Sequence, residues 1–315
     1  MLAAKTRSGL VETLHDGAVA VVSADGELVA WSGDIDRPFY LRSAAKPFQA
    51  AAAQDAGAQL GTLELAVASG SHDGHPVHVA LVESMLHVAG LGESDLLCPP
   101  DWPLSPDAGR RLAREGHTAP RRIWHNCSGK HAAWLRASNA QDWAIDSYLE
   151  PDHPIQRRIV ELVSDLGQYR AEPVGIDGCG APVLRTTTRA MALLFARLST
   201  QSELAPVFTA MHRYPALTSG TGKGDASIAT AINAAGKRGA EGCIGVGVEN
   251  RFGVAVKSWD GLQEAADVGA VAALSSMGQF SPYVVEQLAV VGRPNIKGGA
   301  RKVGEIEPRL ELQWA

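Results

Sequence analysis

The sequence predicts an α/β fold of the α+β kind, its sheet built from N- and C-terminal strands with a helical region between them. Three observations carry this. Residues 18–31 alternate as a β-hairpin, residues 243–259 do so again, and between them apolar residues recur at helical spacing. No linker or repeat interrupts the chain, so one domain over residues 1–315 is expected, with its helical part at about 80–235.

Ala18 to Ser23 is rich in β-formers, Ala24-Asp25-Gly26 supplies turn chemistry, and Glu27 to Trp31 runs back. Ala44 to Ala56 reads as a helix, with Ser43 at the N-cap position and Pro47 in the first turn, where proline costs least. Leu63 to Ser69 fits a buried strand or a helix equally well. Helices are expected over residues 78–88, 106–115, 155–166 and 189–198. Cys243 to Val248 is a glycine-studded apolar strand, Asn250 to Gly253 a turn, and Val254 to Trp259 the returning strand. A helical stretch to Leu288 follows, and the charged tail beyond Gly298 looks loosely specified.

Composition removes several classes of function. Basic residues number 29 against 34 acidic ones, a net charge of −5, which offers no field for a phosphate backbone; nucleic-acid binding is not expected. An apolar fraction of 45% excludes a disordered chain. Mean hydropathy is −0.04 and no apolar run reaches about 18 residues, so no membrane span is expected. Residues 1–7 carry charge with no apolar stretch of signal length behind them. Four cysteines, at 98, 127, 179 and 243, form no C-x-x-C pair. Reduced thiols and a cytoplasmic location are the expectation.

Ser43-Ala44-Ala45-Lys46 places a hydroxyl and an amine three residues apart, on one face of a helix. Serine attacks a carbonyl only when a base takes its proton, and lysine serves only if its pKa falls from about 10.4 toward neutrality. The plain alternative is an N-cap serine beside a solvated lysine. Gly236-Lys237-Arg238-Gly239 lies just before the C-terminal hairpin. Together with S-x-x-K it resembles the Lys-Thr-Gly element of serine β-lactamases and penicillin-binding proteins, with Arg238 in place of Thr or Ser.

The loop from Ser69 to His78 is polar and broken by Gly74 and Pro76, which disfavours metal binding by its three histidines. A site loop donating Ser71 or His72 fits better. Cys127 and Cys179 stand in two dense clusters, open to three readings: nucleophile, zinc ligand or small buried hydrophobe. Gly222-Lys223 lacks the phosphate-loop spacing, since Gly224 follows the lysine, and nucleotide binding is not expected.

These blocks occur in an order that resembles a known family. Arg42-Ser43-Ala44-Ala45-Lys46-Pro47, the Ser71-His72 loop, Asn126-Cys127-Ser128-Gly129-Lys130-His131, Pro151 to Gln156, Asp177-Gly178-Cys179 and Gly236-Lys237 together resemble the asparaginase II family. These are the class 3, rhizobial-type L-asparaginases, related in architecture to serine β-lactamases and serine-dependent glutaminases. The resemblance implies Ser43 with Lys46 and Ser71 with Lys237 as two catalytic Ser-Lys pairs. It implies His72, Asn126, Asp177 and Lys223 near the substrate, and Cys127, Lys130 and Cys179 as zinc ligands. It also implies a homodimer. Asp73 and His75 stand where many members carry Ser and Glu, and Lys223 where Arg is commoner, so a carboxylate contact there would lose its bidentate form.

The activity so implied is hydrolysis of L-asparagine to L-aspartate and ammonia through an acyl-enzyme. A glutaminase or another β-lactamase-like serine amidohydrolase is the alternative within the same fold. A non-catalytic protein binding zinc or an amino acid is the alternative outside enzymology.

Overall fold

The computed structural model describes residues 1–172 and 175–315. Six strands form one antiparallel sheet in the order Gln313–Trp314, Leu28–Ser32, Gly17–Ser23, Phe252–Ser258, Cys243–Val248, Ala234–Gly239. The two hairpins expected from the sequence meet at the centre, where Ala20 lies opposite Ala255. Between the hairpins the chain is mostly helical from Lys46 to Ala231. The fold is therefore the α/β arrangement that the sequence predicts, the sheet being closed by both ends of the chain.

The central strands are apolar without alternation because both faces are covered. Val19, Val21, Ile244, Val246, Val254 and Val256 point to one side, toward the helix Gln263–Ser276. Ala18, Ala20 and Val22 point to the other, where they join Phe48 and Phe195. On this side the helix Thr188–Leu198 lies directly against the sheet. Glycines make the approach possible. A Cβ at Gly253 would run into the Ala192 carbonyl and the Ala196 amide of that helix, and one at Gly247 into the Phe195 carbonyl. The glycine-rich composition of these strands thus records how closely a helix backbone packs on them.

Several local expectations change. Leu63 to Ser69 resolves as helix, spanning Thr62–Ala68. Ser43 is no N-cap: it lies inside the 3-10 turn Arg42–Ala45, which leads into the helix Lys46–Ala53. Gly253 belongs to a strand and not to the turn before it. The charged tail is ordered, since Arg301–Pro308 pairs with Ala3–Arg7 in a second sheet completed by Leu10–His15 and Asn295–Gly298. That sheet is largely exposed, so its strands carry charge instead of an apolar pattern that sequence reading detects. No helix among the described residues is long and apolar enough to cross a membrane.

Gly253→Ala is expected to lower the free energy of unfolding by about 3 kcal/mol, the upper end for overpacking, because the obstruction is backbone and cannot rotate away. Denaturant titration checks this. A wild-type midpoint would mean that the helix Thr188–Leu198 is free to shift outward.

Candidate active site

The strand Ala234–Gly239 is the last in its sheet, so one of its backbone edges is free of a strand partner. The 3-10 turn carrying Ser43 packs there: a Cβ at Gly239 would strike the Leu41 carbonyl and come within 3.2 Å of the Ala44 amide. Arg42, just before the serine, has a φ of 50°, a left-handed conformation that non-glycine residues adopt rarely. Such an outlier is held only when its surroundings over-determine it, and it presents Ser43 at a sharp bend.

Lys46 follows one turn later and is 1% exposed. Its Nζ donates to Ser71 Oγ at 2.9 Å and to the Asn126 carbonyl at 3.4 Å. Burial lowers its pKa, and the charge of Lys130 adds to that, while the thiols of Cys127 and Cys179 oppose it. Ser71 reaches this position because its loop docks on a second bend, the Ser71 amide donating to the Thr218 carbonyl at 2.9 Å. The amine of the S-x-x-K motif therefore hydrogen-bonds the serine of the distant loop and not the serine of its own motif.

Lys237, 2% exposed, is the second buried amine. Its Nζ donates to Ser219 Oγ at 3.4 Å, to Asp225 Oδ2 at 3.4 Å and to the Arg238 carbonyl at 3.2 Å. The hydroxyl paired with Lys237 is thus Ser219, where the resemblance implies Ser71. Burial brings its pKa from 10.5 to about 8, against the pull of Asp225 and with help from the charges of Lys46 and Lys223. Burial would raise the Asp225 carboxyl, but Lys237, Arg238 and the Ser219 hydroxyl outweigh it, and its pKa is lowered. Behind Asp225, Arg238 pairs with Asp267 through Nε at 2.9 Å and through a second, shorter contact. Burial still pushes Asp267 up to about 6.

Ser43, Ser71, Asn126, Lys223 and Lys237 line one cavity of about 240 Å³, which Ser219, Asp225, Arg238 and Gln263 help to enclose. Wider grooves of about 610 Å³ and 530 Å³ lie elsewhere, but neither contains a serine–lysine pair, so chemistry and not volume selects the site. Lys46 stands behind Ser71. His72 and Asp177 do not line the cavity. His72 is fully buried against Ser128 Oγ at 2.9 Å, and Asp177 accepts from Arg42 Nε at 2.7 Å. Lys223 donates to Asp73 Oδ1 at 2.7 Å, so two of the three departures from the commoner family residues meet as an ion pair. Sequence reading missed Ser219, Asp225 and Gln263, and it placed Arg238 only as the residue standing for Thr or Ser. For Asp225 the signal is the Gly-Lys-Gly-Asp stretch, which matches no phosphate loop.

Cys127 and Cys179 are both buried beside Lys130, and the Cys127 thiol donates to Asn126 Oδ1 at 3.2 Å. The nearby Cys127 and the Lys130 charge lower the Cys179 thiol, while Cys179 and burial raise Cys127. Burial alone would lower Lys130; the two thiols and Asp177 raise it instead. Its amine also lies 4.8 Å from the Trp134 ring centre. Among the described residues no three His, Cys, Asp or Glu side chains converge to hold a metal. The set at Cys127, Lys130 and Cys179 has only two such members, its third donor being an amine.

The depressed pKa of Lys237 makes a prediction for stability. Between about 8 and 10.5 the unfolded chain binds this proton and the folded chain does not, so stability contributed at this residue rises with pH across that window. Unfolding free energies of wild type and Lys237→Met, compared over pH 7.5–10.5, should diverge in this sense. Parallel curves would contradict it.

The L-asparaginase II family profile matches residues 3–308. In three dimensions the chain is similar to a crystal structure of Mglu in its native form, with 15% identity and a TM-score of 0.45, over 84% of this chain and 64% of that one. It is also similar to Mglu in its glutamate form, with 15% identity and a TM-score of 0.46 over 85% and 63% of the two chains. The probable glutaminase ybaS shares 17% identity at a TM-score of 0.35, over 82% of this chain and 85% of that one. The chain spans just under two thirds of the length of native Mglu. No curated protein matches it in sequence. With the profile covering nearly every residue, the chain belongs to the L-asparaginase II family.

Proposed function

We propose that the protein is an amidohydrolase that cleaves the side-chain amide of L-asparagine, giving L-aspartate and ammonia through a serine ester. The observation that supports this most is the sharing of one small cavity by Ser43, Ser71 and Lys237, with the Lys46 amine 2.9 Å from Ser71. A volume of about 240 Å³ falls below the range of about 300–1,000 Å³ typical of drug-sized ligands and suits a free amino acid.

In this reading Ser43 attacks the carboxamide carbon. The bend set by Arg42 exposes its hydroxyl, and neutral Lys46 receives the proton released. Ser71, hydrogen-bonded to Lys46, hands a proton to the nitrogen as the C–N bond breaks, so ammonia leaves as a neutral molecule. Water then adds to the ester carbon, its proton is taken by a cavity amine, and aspartate departs with the serine hydroxyl restored. Backbone N–H groups at Ser43 and around Gly239 are the oxyanion donors; loss of one such donor typically costs about 3 kcal/mol. His72 and Asp177 support the site from behind in this scheme. The enzyme so described is the cytoplasmic homodimer expected from the sequence.

Zinc belongs to the same proposal. Cys127 and Cys179 are buried thiols close enough to shift each other's ionisation, and soft sulfur donors beside an amine suit this metal once the amine has lost its proton. The three side chains would hold it, and its charge would act on the cavity from the Asn126 side. Zinc analysis of the purified protein should find about one equivalent, lost in Cys127→Ser; a metal-free wild type would remove zinc from the scheme.

Ammonia release from asparagine, glutamine and a chromogenic β-lactam, assayed side by side, tests the substrate. Turnover is expected with asparagine. Preference for glutamine would move the protein to the glutaminase alternative, and binding of asparagine without turnover to the non-catalytic one. Ser43→Ala should cut turnover by about 10⁴-fold or more and abolish the trapped ester seen by mass spectrometry, whereas Ser71→Ala should slow turnover yet still trap it. A trapped ester in Ser43→Ala would transfer the nucleophile's role to Ser71.

A further inference from the structure

Asp225 has no part in the scheme above, yet among the described residues it is the one carboxylate that lines the cavity. It stands in the first turn of the helix Gly224–Ala231, and its side chain has no solvent exposure. A buried carboxylate is costly unless paired and hydrogen-bonded. This one accepts from Ser219 Oγ at 2.6 Å, from the Arg238 amide at 2.9 Å and from Lys237 Nζ at 3.4 Å, all on Oδ2, while Oδ1 accepts from the Ala226 amide at 3.0 Å. Ser219, itself buried, links the two charges, because Lys237 donates to the hydroxyl that donates to Asp225.

We infer that Asp225 and Ser219 form a positioning unit for Lys237: the carboxylate holds the amine directly and through the Ser219 hydroxyl, in the orientation that points it along the cavity wall. The inference deepens the proposed function and rests on its reading that a cavity amine handles a proton. The backing of the unit is built as tightly as its front. Arg238 is fixed against Asp267, and Gln263 Nε2 donates to Asp267 Oδ1 at 3.2 Å, so the strand amide that holds Asp225 cannot drift. A Cβ at Gly236 would lie 3.2 Å from the Asp225 carbonyl, so strand and helix are in contact at this point. With three acceptors around it, the protonated amine is fully satisfied inside the protein. The arrangement therefore sets both where the amine sits and how readily it gives up its proton.

Charges face Lys237 from every side. Asp225 comes from the helix Gly224–Ala231, Lys223 from the residue before it, Lys46 from the helix Lys46–Ala53, and Arg238 from the same strand, backed by Asp267 of the helix Gln263–Ser276; the Cys243 thiol of the neighbouring strand is also near. Asp225 is the nearest anion among them and Ser219 is one of the amine's three acceptors, so removal of either should ease loss of the proton. Loss of the carboxylate leaves the amine among cations. Loss of the hydroxyl takes away one acceptor while the carboxylate stays, a smaller effect in the same sense.

The test reads the ionisation of Lys237 itself, from the ¹³Cε chemical shift in lysine-labelled full-length protein, assigned by its disappearance in Lys237→Met. Asp225→Asn, which keeps the shape, should lower the titration midpoint by about 1–3 pH units. Ser219→Ala should lower it by less. In both variants kcat for ammonia release from asparagine should fall about tenfold or more with little change in KM, and the pH limb that follows Lys237 should move with the NMR midpoint. A wild-type midpoint in folded Asp225→Asn overturns the inference, whatever its activity. If Asp225→Asn does not fold, Ser219→Ala decides: a wild-type or raised midpoint overturns the unit. Absence of amide hydrolysis in the wild type would sink the proposed function, and the two midpoints would still judge the positioning unit.

Discussion

Lys46 and Lys237 hold their amines out of water, and much of the surrounding structure answers to that cost. A buried ammonium loses several kcal/mol of hydration unless partners replace the water. The protein answers the two cases differently. Lys46 receives a hydroxyl and a carbonyl but no carboxylate, and two thiols are its nearest acidic neighbours. Lys237 receives a carboxylate, itself fastened by a serine and a strand amide. The result is two amines at one site, one in the cavity wall and one behind it, with different counter-charges, the condition under which one can accept a proton while the other keeps its own.

Packing decides that these amines serve one site. The turn that carries Ser43 is pressed against the sheet edge at Gly239, which admits no side chain larger than hydrogen. The loop that carries Ser71 is tied to the bend at Thr218, which brings Ser219 alongside. The sheet centre in turn is fixed by the helix Thr188–Leu198 resting on Gly247 and Gly253. Each contact is backbone against backbone, where close-packed interiors yield least. Rigid support of this kind is what a site needs when a displacement of about 1 Å is expensive.

Charge pairing at the rim follows a similar logic. Asp73 and Lys223 each differ from what is commoner in the family at those positions, and they neutralise each other at 2.7 Å. Together they keep an ion pair at the cavity's edge, with a point charge at residue 223 where arginine would offer a forked donor.

Much was legible in the chain itself. Both hairpins follow from β-rich runs flanking turn residues, and most helices from apolar spacing, because these signals are local. The ordered motifs likewise led to the family, since the residue types that serine–amine chemistry needs lie in short blocks: Ser43 with Lys46, Lys237 between glycines, Asn126 with Cys127. What the sequence could not decide was pairing. Ser43 and Lys46 share a motif, yet the amine turns to Ser71, 25 residues further on. Lys237 takes Ser219 and Asp225 from a stretch that matched no recognised motif. The polar strand Arg301–Pro308 finds Ala3–Arg7 across nearly the whole chain. Local periodicity reports which face of an element is apolar; which hydroxyl an amine meets depends on how distant backbones pack, and only the assembled sheet and helices settle that.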